Sequence, residues 1–250
     1  MRRDYVAVGI LWFVLTFLGI LLAPITFSFY FPPPGAEEAV FIDNAFRYLV
    51  ILAIPVFSFV VSVLVYSMIR FRVQDDSNEE GPPVKSSATV YLTWLLITSG
   101  LAIAILIHPG VTGIAELRSN PAADLVVQVS AEQWNWTYTY PEYGVTIEKA
   151  KELVLPVDTR VKFEITGTDV LHSFWVPAFR MKIDAVPGKV TTLYVTPTVV
   201  GAFDDDPNMR VQCAEICGTG HARMRTQVVV VEPDEFEEWL AESAQARITE

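Results

Sequence analysis

Three stretches of the chain, residues 5–31, 48–69 and 88–107, carry no charged side chain. At about 1.5 Å of rise per residue, each can cross a hydrocarbon core about 30 Å thick as a helix. A buried helix of a soluble protein is usually shorter and keeps a polar face, so the expected spans are about 5–31, 48–69 and 88–108. From Asn120 onward the pattern changes to short β-branched and aromatic runs broken by proline and glycine. Expected strands lie at 125–130, 133–140, 151–155, 161–166, 189–195 and 226–231. The run at 133–140 alternates, which puts Trp134, Trp136, Tyr138 and Tyr140 on one face. After Pro233, acids followed by Phe236, Trp239 and Leu240 on one face predict a closing helix. The fold expected is a transmembrane α-helical anchor of three spans over 1–118, an extramembrane all-β sandwich or barrel over 119–232, and a helical tail over 233–250.

Arg2 and Arg3 ahead of the first run resemble the basic start of a secretory signal, but the run is too long for a signal's apolar region, so a retained helix is expected. Basic residues set the orientation. Arg2 and Arg3 precede the first span and Arg70, Arg72 and Lys85 follow the second, whereas 32–44 has no basic residue and carries Glu37, Glu38 and Asp43. The N-terminus is expected on the cytoplasmic side and the large domain after His108 on the outer side. The composition, 52% hydrophobic, agrees with a membrane protein. The net charge of −11, with acids gathered at Asp204, Asp205 and Asp206, predicts a basic partner and argues against nucleic acid.

The chain has two cysteines, Cys213 and Cys217, and outside the cytoplasm a disulfide is the default. Their surroundings speak for metal instead. Cys213, Cys217, His221 and Met224 lie within twelve residues, and His172 lies upstream after Asp169. A mononuclear blue-copper site needs two His, one Cys and a weak Met. This set has one thiolate more, enough to bridge and terminate two copper ions. Zinc would have no use for Met224, and a disulfide would explain neither the histidines nor the methionine.

These residues resemble the dinuclear copper (CuA) motif of cytochrome c oxidase subunit 2, from about Arg47 to Glu238 and most densely over 169–188 and 213–224. The resemblance implies a Greek-key cupredoxin barrel and an oxidoreductase/translocase subunit that passes electrons from cytochrome c or a small cupredoxin to haem in catalytic subunit 1. Other oxidase subunits would be neighbours, and the membrane would be a prokaryotic plasma membrane. It implies that Cys213 and Cys217 bridge the coppers, that His172 and His221 are terminal ligands, and that Met224 and the carbonyl of Glu215 are weak ones. The side chain of Glu215 would reach a Mg²⁺ shared with the catalytic subunit. Trp134 matches the electron-entry tryptophan, against a reading as core stacking with Trp136, and Asp169 matches an acidic docking position. Lys182 and Asp184 match residues near the proton exit region, while His108 reads as an interfacial side chain. Glu215 disfavours nitrous oxide reductase, which usually has an aromatic there, and the cysteines disfavour the quinol-oxidising relatives. A copper-bearing subunit of a nitric oxide reductase, and a non-redox scaffold with a Cys213–Cys217 disulfide, are the remaining alternatives.

Three departures stand out. The family normally has two spans, matched here by 48–69 and 88–107, so 5–31 is additional. Tyr91 stands where the family often has a glutamate at a proton path, and 204–209 is an insertion before Arg210. That insertion supplies the acidic docking candidates Asp204, Asp205 and Asp206, expected beside the copper loop.

Overall fold

The computed structural model describes residues 2–72, 86–118 and 122–248. They fall into two compact units, residues 1–31 with 44–115, and residues 32–43 with 116–250. Lys85 and the expected domain boundary at 119–120 lie outside the described residues.

The first unit is built on α1 (Arg2–Tyr30), α2 (Glu37–Arg70) and α3 (Ala88–Ile105), and three helices are long and apolar enough to cross a membrane. In α1 and α2, Trp12 Nε1 donates to the Pro55 carbonyl at 2.8 Å, and its ring meets Phe59 edge-on at 5.8 Å. At the far end, Tyr66 donates its hydroxyl to Asp4 at 2.7 Å, with Arg70 3.6 Å from the same carboxylate. α2 begins eleven residues before its apolar run, because Glu37, Glu38 and Asp43 suit a helix N-terminus outside the hydrocarbon. α3 ends at Ile105, short of the expected 108. His108 is extended there (φ −135°, ψ 121°), as the residue before a proline prefers. The helical path resumes as α4 (Thr112–Arg118).

The second unit is a β sandwich. Its strands are β1 (Leu125–Glu132), β2 (Asn135–Tyr140), β3 (Val145–Ile147), β4 (Glu152–Pro156), β5 (Val161–Gly167), β6 (His172–Val176), β7 (Met181–Ala185), β8 (Thr191–Val195), β9 (Arg210–Cys213) and β10 (Arg225–Val231), followed by helix α5 (Pro233–Ile248). One sheet runs β3-β2-β1-β5-β8 and the other β4-β10-β9-β6-β7. Alternation explains the layering, since β1, β2, β5 and β10 bury every second side chain. Trp136, Tyr138 and Tyr140 point from β2 into the shared core, where Tyr138 meets the Thr226 hydroxyl at 2.7 Å and Tyr140 donates to the Val154 carbonyl at 2.8 Å. Two tyrosine hydroxyls thus stitch one sheet to the other. Trp134 does not share that face: β2 starts at Asn135, and Trp134 sits in the turn before it. α5 closes one end, with Phe236 and Trp239 packed on Tyr140.

Residues 32–43, the link after α1 together with the first turns of α2, belong to this unit. Gly35 N donates to the Ala178 carbonyl at 2.9 Å and Glu37 N to the Thr196 carbonyl at 3.1 Å, while Ala36 and Ala39 are fully buried. Glu38, only 7% exposed, accepts from Arg160 at 2.7 Å and from Thr196 N at 3.0 Å. Asp43, 4% exposed, accepts from Arg180 Nε at 2.9 Å. Buried carboxylates are tolerated because each meets a guanidinium. Removing one partner strands the other's charge, so Glu38→Ala should destabilise the β domain by about 3 kcal/mol. The double variant Glu38→Ala/Arg160→Met should recover most of that loss in urea unfolding of the detergent-solubilised chain followed by tryptophan fluorescence.

Candidate metal centre

The ligand set expected from sequence converges at one end of the sandwich. β6 begins at His172, which pairs with Ala185 on β7, and β9 ends at Cys213, which faces Phe174 of β6 across the ladder. The chain then loops through Cys217 and His221 and returns at Met224, whose carbonyl accepts Cys213 N at 3.0 Å. Both ends of the loop are therefore strand-anchored. His172, Cys213, Cys217 and Met224 are at most 3% exposed, and His221 is half-buried at the rim.

The donor atoms face one another. Cys213 Sγ and Cys217 Sγ are 3.8 Å apart as free thiols, so the structure contains no bridge between them. His172 Nδ1 lies 3.2 Å from Met224 Sδ and 3.9 Å from Cys213 Sγ. His221 Nδ1 lies 3.6 Å from Cys217 Sγ, and Cys213 Sγ lies 3.2 Å from the Glu215 carbonyl. The ligating atoms of His172, Cys213 and Cys217 all fall within 4.8 Å of one another. Metal–thiolate bonds of about 2.3 Å span such separations. Two soft sulfurs, a thioether and imidazoles suit copper better than a hard cation. The residues present fit the expected copper centre. Burial, reinforced by the neighbouring Cys213 sulfur, pushes the Cys217 thiol up to about 12, so metal must displace its proton on binding.

Asp169 holds His172 in place. Its Oδ1 accepts from His172 Nε2 at 2.8 Å and from Val170 N at 2.6 Å, and its Oδ2 accepts from Gln133 N at 2.7 Å. Burial would raise the carboxyl's pKa, but these hydrogen bonds outweigh it and lower it. An Nε2–H committed to Asp169 leaves the Nδ1 lone pair facing the sulfurs. Sequence alone reads Asp169 as a docking acid, and the structure adds its contact with His172. Gln133 gave no such signal. Its side chain donates to the Cys217 carbonyl at 2.8 Å, and Trp134 Nε1 donates to the same oxygen at 3.1 Å. The Trp134 ring lies flush against Gly220, where a Cβ would come 2.2 Å from it. Trp136 instead meets His172 and Phe174 edge-on, so the structure does not stack the two tryptophans on each other.

Asp204, Asp205 and Asp206 are not gathered at this centre. They precede β9 at the end opposite Cys213, separated from it by the length of the strand. Asp205 Oδ2 accepts Ala202 N, and Asp206 Oδ1 accepts from Asn208, so two of the three carboxylates close the turn itself. The Glu215 side chain is exposed on the loop, as are Lys182 and Asp184 on β7.

The domain's sequence matches the family described as cytochrome c oxidase subunit II, periplasmic domain, over residues 144–232. Cytochrome c oxidase subunit 2 of Thermostichus vulcanus is 29% identical over 83% of this chain and 76% of its own length. The probable cytochrome c oxidase subunit 2 of Rickettsia bellii is 27% identical over 91% of each. Residues 144–232 belong to the cytochrome c oxidase subunit II family, and the chain resembles cytochrome c oxidase subunit 2 over most of its length. A solved periplasmic domain of subunit II from Bradyrhizobium japonicum is 31% identical, covering 50% of this chain and 97% of that one, with a TM-score of 0.46. The domain match and the three apolar helices together make this a subunit II of the haem–copper oxidase type, a membrane protein whose β domain lies on the outer side.

In this subunit, truncating Asp169 to Ala should free the His172 ring to rotate and weaken copper binding by about 10–100-fold. Chelator competition on the full-length variant measures the loss. Unchanged affinity would mean that packing alone orients the imidazole.

Proposed function

We propose that the chain is the electron-entry subunit of a cytochrome c oxidase. A mobile donor, cytochrome c or a small cupredoxin, would deliver single electrons to two copper ions held by Cys213, Cys217, His172, His221 and Met224, with the Glu215 carbonyl as a weak further ligand. Electrons would leave for haem in catalytic subunit 1, where oxygen is reduced and protons are pumped. Bound there, the copper pair supplies a reversible one-electron acceptor. The observation that carries the reading is the convergence of two thiols, an imidazole and a thioether in one buried cluster.

The chain's own residues do the rest. The β6 and β9 strand ends fix Cys213 and His172, so the ligands need little rearrangement when charge arrives. Trp134, half-buried and hydrogen-bonded to the Cys217 carbonyl, is the entry point from the donor. The exposed Glu215 carboxylate would take the Mg²⁺ shared with the catalytic subunit, and Lys182 and Asp184 would lie at that interface. Docking of a basic donor would draw on the exposed acids, with Asp204 the member of its triplet that has no hydrogen bond or ion pair among the described residues, and with the one-third exposed Asp169 near the centre. The N-terminus would be cytoplasmic, from the placement of Arg2, Arg3, Arg70 and Arg72.

Metal analysis of the purified chain should return two coppers per chain, with visible thiolate-to-copper absorption. A ratio of one, or zinc in their place, defeats the dinuclear reading. Cys217→Ser should abolish the centre, because a hydroxyl is a poor ligand for soft copper, whereas Met224→Leu should keep copper and shift its reduction potential.

Trp134→Ala should slow copper reduction by the donor in stopped-flow measurements while copper content stays near wild type. An unchanged rate would leave Trp134 as a packing residue of the loop.

A further inference from the structure

On the outer face of the β4-β10-β9-β6-β7 sheet, a cavity of about 340 Å³ opens at the ends of β4, β9 and β10. Lys151, Arg210 and Arg225 line it, and no acid does. We propose that this cavity is a binding site for a phosphate-type oxyanion.

The cations come from three places that the sheet brings together. Arg225 and Gln227 point outward from β10, with Gln227 opposite Arg210 on β9. On the other side Gln227 N donates to the Lys151 carbonyl at 3.1 Å, which seats Lys151 at the same edge of the cavity. Arg210 is held by Gln212, its Nε donating to Oε1 at 2.9 Å, and by the Pro207 carbonyl. Lys151 and Arg225 make no ion pair or side-chain hydrogen bond among the described residues, and both are exposed. The nearest acid along the strands is Glu152, whose Oε2 accepts from Gln227 Nε2 at 3.1 Å.

Three like charges around one cavity repel unless an anion joins them. Elsewhere among the described residues of this domain the cations that are not exposed are paired, Arg160 with Glu38, Arg180 with Asp43 and Lys162 with Glu164, while the exposed Lys149, Lys182, Lys189 and Arg223 line no shared cavity with one another. In a chain of net charge −11, an acid-free cavity with three cations is an exception that calls for a ligand. Two guanidinium forks and an ammonium match a dianionic tetrahedral oxyanion better than a single carboxylate, because the forks bind two oxygens at once. The insertion at 204–209 has a place in this site: Phe203 and Arg210, the residues that flank it, both line the cavity.

Isothermal titration of the full-length chain in non-ionic detergent with inorganic phosphate, at constant ionic strength set by chloride, tests the site. The expected result is saturable binding with a Kd of about 1 mM or tighter, weakened at least about tenfold by Arg225→Ala or Lys151→Ala. Arg225→Lys should retain part of the affinity, and Lys189→Ala, on a distant turn, should retain all of it. Circular dichroism confirms that each variant is folded. No saturable heat, or binding that survives Lys151→Ala/Arg225→Ala unchanged, overturns the proposal and leaves the cavity as a contact for an acidic protein surface.

Discussion

The metal centre depends on keeping two sulfurs, a thioether and imidazoles close together and dry without letting them collapse on one another. The backbone bond from Cys213 N to the Met224 carbonyl does much of this, because it closes the ligand loop into a ring hung between β9 and β10. Once the ring is closed, the loop's middle must be pinned from outside. Gln133 and Trp134 do so through one carbonyl, that of Cys217, and Asp169 pins His172 from the opposite side. Asp169 also accepts Gln133 N, so the two pins are linked to each other. A shift of the turn at 133–134 would therefore reach both thiol and imidazole.

Glycine makes this arrangement possible at two positions. Gly220 lets the indole of Trp134 approach the loop more closely than any Cβ would permit. Gly218 takes a positive φ of 108°, which side-chain-bearing residues rarely adopt. The loop must turn sharply after Cys217 to present His221 Nδ1 back to the Cys217 sulfur, and that turn falls at Gly218.

The cluster of thiols, imidazoles and a thioether was legible in the sequence because soft donors at short spacing have few structural uses, and the apolar helices because charge-free runs have few others. Strands were legible where β-branched and aromatic residues run together, β4 among them although four of its five residues are buried. The equally buried β6, the charge-bearing β7 and the short β3 and β9, of three and four residues, were not. Trp134 was assigned to the strand by its parity with Trp136, but parity holds only while the chain stays extended, and the turn at 133–134 breaks it. The insertion's acids were expected at the copper because they are near it in sequence. A strand intervenes, and at roughly 3.3 Å per residue even four residues carry the chain more than about 10 Å away. Residues 32–43 gave no sign that they belong to the β domain, since contacts between distant segments leave no local pattern.

Net charge was the least informative sequence quantity, and the reason is spatial. Glu38 and Asp43 are spent inside the fold on Arg160 and Arg180, and these pairs cancel. The acids of α5, Asp234, Glu235, Glu237, Glu238 and Glu242, are all exposed, whereas Lys151, Arg210 and Arg225 gather at one cavity. A surface divided in this way does not present the average of its charges to a partner. Fields from exposed charges are screened within about 8 Å at physiological ionic strength. Each face therefore acts on what lies directly against it, so an acidic domain need not repel an anion at the one face where its cations gather.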